Sequence, residues 1–226
     1  KSNSETEKRI DSLLAKMTLH EKVGQLHQAA PSRVGGFEIS EEDAVEMLKG
    51  GTMTKEEYEI VMNHTALQSH DDAIRRGEVG SFIGVMDRAE ANRLQKIAVE
   101  ESRLGIPMIF GLDVIHGYKT IFPIPLAESC SFDDELLEAT AEAAAREASE
   151  DGIHWTYAPM VDIARDARWG RIAEGAGEDP YVASQFAAAK VKGFQGEDLS
   201  EPGRIASCVK HFAAYGACDG GRDYDT

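Results

Sequence analysis

The sequence predicts an α/β protein in which parallel strands alternate with covering helices. Three observations carry that expectation. Four apolar runs occur at 79–85, 106–113, 154–162 and 205–212. Helical periodicity separates them, first through Ala89, Ala91, Leu94, Ile97 and Ala98, then from about 133 to 150, then from about 181 to 194. Runs without polar alternation suit strands buried on both faces, as in a parallel sheet covered by helices. Two architectures meet this pattern, an eight-stranded β/α barrel and an open doubly wound sheet. No glycine-rich phosphate loop of either common type follows the first run, which counts against the nucleotide-binding form of the open sheet.

Upstream, Ile10, Leu13, Leu14 and Met17 fall at helical spacing. Thr18-Leu19-His20-Glu21 has the form of a capping box, opening a helix that carries Val23, Leu26 and His27. Gly35 and Gly36 break this pattern. Ser40-Glu41-Glu42-Asp43 and a second box, Thr54-Lys55-Glu56-Glu57, mark two short surface helices, the later one through Tyr58, Ile60, Val61 and Met62. They read as decoration or as a flap over a site. The alanine stripe from Ala139 to Ala148 is a packing face, with Gly152 as the stop.

A chain of 226 residues is long enough for one large domain with a sizeable core. Its 40 acidic against 24 basic residues give a net charge of −16, which repels phosphate backbones and anionic lipid. Nucleic acid and membrane are therefore not expected partners, whereas a neutral sugar is indifferent to the charge. No apolar run approaches the ~20 residues of a membrane helix. The polar opening Lys1-Ser2-Asn3-Ser4-Glu5 leads to the expectation of either no signal peptide or a start beyond its cleavage point. Cys130, Cys208 and Cys218 show no C-x-x-C spacing. Cys208 reads as core, and a Cys208–Cys218 bridge stays open, as does the compartment. The seven histidines include no H-E-x-x-H motif, and no metal or cofactor is expected. A serine-hydrolase reading fails for want of a G-x-S-x-G elbow.

Barrels carry their chemistry at the C-terminal ends of strands. The three later runs end there in charged residues: Asp113, Asp162 and Lys210-His211. Asp113, after Gly111 and before His116-Gly117, can accept two sugar hydroxyls or cap its own loop. Arg165-Asp166-Ala167-Arg168-Trp169-Gly170-Arg171 sets three arginines around one tryptophan. A sugar ring can stack on the indole while a guanidinium fork donates to vicinal hydroxyls. The structural alternative, better for any single arginine, is a salt-bridged loop with Asp162, Asp166, Glu174, Glu178 and Asp179. Neighbours on a strand point to opposite faces, so Lys210 and His211 reach one ligand only if the strand end twists or breaks. Four strands leave a barrel open and its edges uncovered. The expectation is either an open sheet or a piece of something longer, since Asp223-Tyr224-Asp225-Thr226 provides no evident stop.

Four blocks in order resemble glycoside hydrolase family 3, especially its periplasmic bacterial β-glucosidase branch. They are Leu14-Ala15-Lys16-Met17-Thr18 with Glu21-Lys22-Val23-Gly24-Gln25-Leu26; Asp113-Val114-Ile115-His116-Gly117 with Thr120-Ile121-Phe122-Pro123; Ala158-Pro159-Met160-Val161-Asp162 through Arg165-Asp166, Arg168-Trp169-Gly170-Arg171 and Glu174-Gly175 to Gly177-Glu178-Asp179; and Val209-Lys210-His211-Phe212-Ala213-Ala214-Tyr215-Gly216-Ala217 with Gly220-Gly221. The resemblance implies that 1–226 is the first half of a (β/α)8 TIM-type barrel, completed by the remainder of the barrel and a following domain. It implies retaining hydrolysis of β-D-glucosides or related β-glycosides, with a β-glucoside or oligosaccharide as substrate. It favours a periplasmic or secreted location, a cytoplasmic one staying open.

Matched residue by residue, Asp113, Arg171, Lys210 and His211 hold the hydroxyls of the non-reducing sugar. Arg171 is a better match than Arg168, and Trp169 supports the loop. The nucleophilic aspartate and the acid/base fall beyond residue 226. Retaining chemistry needs two carboxyl groups roughly 5–5.5 Å apart, and Asp113 is matched to binding instead. Ala167 stands where proline is usual. Residues 31–78 are longer than in that branch, which leaves the leaving-group side open. The family's N-acetylglucosaminidase branch has a loop beginning Lys-His-Phe-Pro-Gly-His-Gly, and 210–216 lacks its proline and second histidine. A non-catalytic sugar-binding half-barrel is the alternative from another class.

Overall fold

Residues 4–30, 41–58 and 70–223 are described by the computed structural model. They divide into two units, Lys1–Val85 with Ala89–Ile109, and Met86–Arg88 with Phe110–Thr226.

In the first unit α1 (Ser4–Lys16) and α2 (Leu19–Leu26) are separated by the expected capping box. Thr18 Oγ1 accepts from Glu21 N–H at 3.2 Å, and Glu21 Oε2 accepts from Thr18 N–H at 2.8 Å. The same exchange at Thr54 and Glu57 has distances of 3.2 and 2.8 Å. Both boxes are local, so spacing alone revealed them. The α2 stripe Leu19, Val23 and Leu26 is exposed, and α2 buries Glu21 and Gly24 instead. Gly24 lies so close to the turn at Gly77 and Glu78 that a Cβ would stand 2.0 Å from Gly77 O. Glu21 is buried because Arg103 pairs with both its oxygens, at 2.8 and 2.5 Å. Helices α3 (Glu41–Lys49) and α4 (His70–Arg75) follow. The expected helix continuation through Ile60, Val61 and Met62, and the break at Gly35 and Gly36, lie outside the described residues.

Strand β1 (Gln28–Ala29) pairs in parallel with β2 (Ser81–Ile83), Gln28 opposite Ser81. The sequence expectation of four strands is thus corrected to five among the described residues. Two residues are too short to display a period, and His27 reads as the tail of α2. Helix α5 (Arg88–Lys96) runs into a π-turn, Ile97–Glu101.

In the second unit β3 (Ile109–Leu112), β4 (Trp155–Thr156) and β5 (Ala206–Ser207) pair in parallel, Gly111 opposite Trp155 and Trp155 opposite Ala206. Parallel strands joined through helices are the α/β class the sequence predicts. Helix α6 (Pro125–Ser129) precedes α7 (Asp134–Glu150), and α8 (Pro180–Gln195) precedes β5. Asp133 caps α7 by accepting from Leu136 N–H at 3.0 Å, and Gly152 takes φ 88° past its end. The alanine stripe does pack: Ala141, Ala144, Ala145 and Ala148 are buried with Val114, Ile153, Ala158, Phe194 and Ile205. Small side chains let α8 come close, and at Gly193 a Cβ would stand 2.3 Å from Glu138 O. Beside that contact Lys190 is buried with Glu128 at 2.5 Å and Thr140 Oγ1 at 2.9 Å, and burial pushes its ammonium pKa down.

The strands are shorter than the apolar runs that announced them. Pro159 offers no N–H to a ladder, and beyond Thr156 and Ser207 an isolated bridge, Met160 to Lys210, continues the pairing. The residues after the strands become loops, which carry the polar groups described next. Cys208, expected in the core, is half-buried because β5 has already ended, and all three cysteines are free.

Candidate functional site

Everything in this site belongs to the second unit. Asp113 follows directly on β3, and its neighbour is pinned. Val114 N–H donates to Thr156 Oγ1 at 3.1 Å, and the same hydroxyl donates to Val114 O at 3.2 Å. Thr156 is fully buried, so the backbone leaving β3 is tied to β4 where Asp113 emerges. The Asp113 side chain is 48% exposed, and its Oδ1 accepts from Lys210 Nζ at 3.0 Å.

The loop after β4 carries the next groups. Arg171 starts a 3₁₀ turn, Ile172–Glu174, and the i,i+3 spacing brings Glu174 back to it. Arg171 Nε and Nη2 donate to the two carboxylate oxygens at 2.6 and 2.7 Å, a fork-on-fork pair. Glu174 Oε2 lies 3.7 Å from Lys210 Nζ, so the lysine stands between Asp113 and Glu174. Arg171 is held strongly protonated by Glu174 first, and Glu174 is pulled below its ordinary carboxylate value by Arg171.

Lys210 and His211 follow β5, and the peptide bond between them is cis. Lys210 is buried. Asp162 Oδ2 accepts from His211 backbone N–H at 3.0 Å and meets ring Nδ1 at 2.7 Å. A carboxylate only accepts, so Nδ1 carries the hydrogen in this arrangement, and Nε2 faces Arg171 Nη1 at 3.5 Å. The strand end has therefore broken in the way that lets adjacent residues serve one cluster.

Of the five residues expected at the site, four come together: Asp113, Arg171, Lys210 and His211. The stacking reading of Trp169 is corrected. Its ring is 2% exposed, packed with Met160 and Ala164, and its Nε1 donates to Asp223 at 2.9 Å. An indole enclosed in this way offers no face to a sugar and acts as a loop support. Arg168, itself exposed, pairs with half-buried Asp166 two residues away, which takes it out of the cluster and holds the Asp166 carboxyl at about 2.

Sequence reasoning missed Glu174 and Tyr215 as site residues. The sequence offers Glu174 as a loop salt-bridge partner and as part of the third block, not as a site residue, though its i,i+3 spacing from Arg171 is a usable signal. Tyr215 meets the His211 ring edge-on at 4.7 Å and lies under the Arg171 guanidinium at 5.4 Å. No spacing announces the contact with Arg171, forty-four residues away.

The cluster offers cations and carboxylates at close quarters, suited to donating to and accepting from hydroxyls. General-acid work needs a carboxyl with a raised pKa, and two of the carboxylates here are shifted the other way. Glu174 is shifted downward by Arg171, and Asp223 downward by Trp169 and Tyr215. Among the described residues no group of three or more His, Cys, Asp or Glu could hold a metal ion.

The family profile described as "Glycosyl hydrolase family 3 N terminal domain" matches residues 18–226. A periplasmic β-glucosidase of Salmonella typhimurium is 35% identical over 217 residues, covering 96% of this chain and 24% of that protein. A putative β-xylosidase of Formosa agariphila is 30% identical, over 96% of this chain and 28% of its own length. The crystal structure of a β-glucosidase from Listeria innocua in complex with glucose is similar at a TM-score of 0.74 and 39% identity, over 95% of this chain and 28% of that one. The chain thus spans about a quarter of the length of the relatives it matches.

Proposed function

The chain belongs to glycosyl hydrolase family 3, and on that premise we propose that the complete enzyme removes terminal non-reducing β-D-glucosyl, or related β-glycosyl, residues by a retaining mechanism. The observation that carries this reading is the single cluster of Asp113, Lys210, Arg171 and His211, braced by Glu174 and Asp162. Asp113 accepts from two hydroxyls of the non-reducing sugar, while Lys210, Arg171 and His211 hold its other oxygens. Residues 1–226 form the first part of a (β/α)8 barrel domain that continues in the whole protein. The nucleophilic aspartate belongs to a later part of that barrel and the acid/base to a following domain. The periplasmic relative supports a periplasmic location. Among the described residues no helix is long and apolar enough to cross a membrane.

Glucosides are favoured over xylosides because the β-glucosidases at 35% and 39% identity cover 96% and 95% of this chain, whereas the β-xylosidase-type relative at 35% covers 52% of it and the one that covers 96% is 30% identical. The test is turnover of aryl β-glucoside and aryl β-xyloside by the complete enzyme. The anomer released first is followed by polarimetry or NMR. Release of the β-anomer with faster glucoside turnover is expected. No turnover of either substrate, or release of the α-anomer, would overturn the proposal.

A further inference from the structure

We propose that Tyr215, braced by Asp223, is a positioning residue that aims Arg171 and His211 at the sugar. The inference rests on the reading of those two residues as sugar-holding groups.

One oxygen organises the device. Asp223 Oδ1 accepts from the Trp169 indole N–H at 2.9 Å and from the Tyr215 hydroxyl at 2.7 Å. Trp169 is an immobile anchor, buried against Met160 and Ala164 with Ile172 and Tyr215 beside it. The indole therefore fixes Asp223, and Asp223 fixes the hydroxyl end of Tyr215. The Tyr215 ring also meets Trp169 edge-on at 5.6 Å. The loop carrying the tyrosine is seated without slack. At Gly216 a Cβ would stand 2.3 Å from Ile163 O and 3.3 Å from the Trp169 ring.

What the ring then does follows from its other contacts. It meets His211 edge-on at 4.7 Å and 74°, and the Arg171 guanidinium lies 5.4 Å from its centroid. Glu174 holds the Nε and Nη2 edge of Arg171, an attachment about which the plane could still tilt. A ring under the guanidinium opposes that tilt through cation–π attraction and simple contact. Small errors in the aim of a binding group are expensive, so a residue with no substrate contact can still control rate.

The experiment is kinetics of the complete enzyme on an aryl β-glucoside, with thermal unfolding of each variant as the check on folding. Tyr215→Phe removes the hydroxyl brace and keeps the ring. Asp223→Ala removes the brace altogether, while Asp223→Asn keeps an accepting oxygen. Tyr215→Phe and Asp223→Ala should each lower kcat/KM on the order of tenfold, and Asp223→Asn should recover most of it. Combined with Arg171→Ala, the Tyr215→Phe change should cost less than about twofold further, because two residues acting as a unit are not additive. If Asp223→Ala does not fold, the Tyr215→Phe pair decides. The proposal is overturned if Tyr215→Phe leaves kcat/KM unchanged while Arg171→Ala cripples it, or if the two losses multiply in full. Unchanged kinetics in Arg171→Ala would instead remove the sugar-holding reading itself.

Discussion

Glu174 takes the Arg171 guanidinium on both carboxylate oxygens, at 2.6 and 2.7 Å, and the oxygen 2.7 Å from Nη2 lies 3.7 Å from Lys210 Nζ. One carboxylate therefore sets two cations that sit thirty-nine residues apart in sequence. Glu174→Gln keeps the shape and removes the charge. Charge-assisted bonds contribute about 1.5–3 kcal/mol each, so kcat/KM of the complete enzyme should fall roughly 10- to 100-fold, with little change in unfolding temperature. Unchanged kinetics would show that Arg171 is aimed by something else.

Asp113 is the most exposed of the paired groups in the cluster. Its substitution by alanine removes the hydrogen bonds offered to the sugar and leaves Lys210 with Glu174 as its remaining counter-charge in the site. A loss on the order of a hundredfold or more in kcat/KM is expected from two or more charged hydrogen bonds. Near-normal kinetics in Asp113→Ala would sink the sugar-binding assignment.

Thr156 makes the connection on which the placing of Asp113 depends. The hydroxyl is buried, and it serves both Val114 N–H and Val114 O. Thr156→Val preserves the volume, removes the hydroxyl's donation to the Val114 carbonyl and leaves the Val114 N–H with Leu112 O alone, at 3.0 Å. A loss of about 1–3 kcal/mol in stability is expected, measured by denaturant unfolding, together with a raised KM. A variant as stable as the parent would mean that the Leu112 carbonyl suffices for the Val114 N–H and that the hydroxyl does not tie β3 to β4.

Acid should weaken the first unit through Glu21. Its carboxyl is held at about 2 by Arg103 first and by the Thr18 amide second, against an ordinary value of 4.5. A depressed folded pKa stabilises the fold above the unfolded value, and that contribution is lost as pH falls from about 4.5 towards about 2. Glu21→Gln should flatten the fall in unfolding temperature across this window. A parallel curve for the variant and the parent would show that other carboxylates carry the acid sensitivity.

Both capping boxes and the alanine helix were legible because each is written in residues three or four apart, which contact one another as soon as the helix forms. The polar strand ends were legible for a similar reason: Asp113 and Lys210-His211 stand where apolar runs stop. The strand β1 was not, because two residues carry no period. Of the two readings of Trp169, a face for stacking and a support for its loop, the stacking one fails because composition shows that an indole is near arginines without showing which of them it faces. It is enclosed by Met160 and Ala164, and its polar edge is taken by Asp223, fifty-four residues away.

The sequence by itself determined the α/β class, the positions of most helices and the identity of four residues that meet in one cluster. It also excluded a phosphate loop of either common type. Tertiary structure alone decided how those four meet. Glu174 becomes a bridge only because β5 delivers Lys210 beside the loop that follows β4, and Tyr215 braces Arg171 only because Asp223 returns to Trp169. The physical reason is range. Hydrophobic period and helix capping act within a few residues and can be read in order, whereas charge pairing and ring contacts depend on distance in space, which the order of residues does not contain.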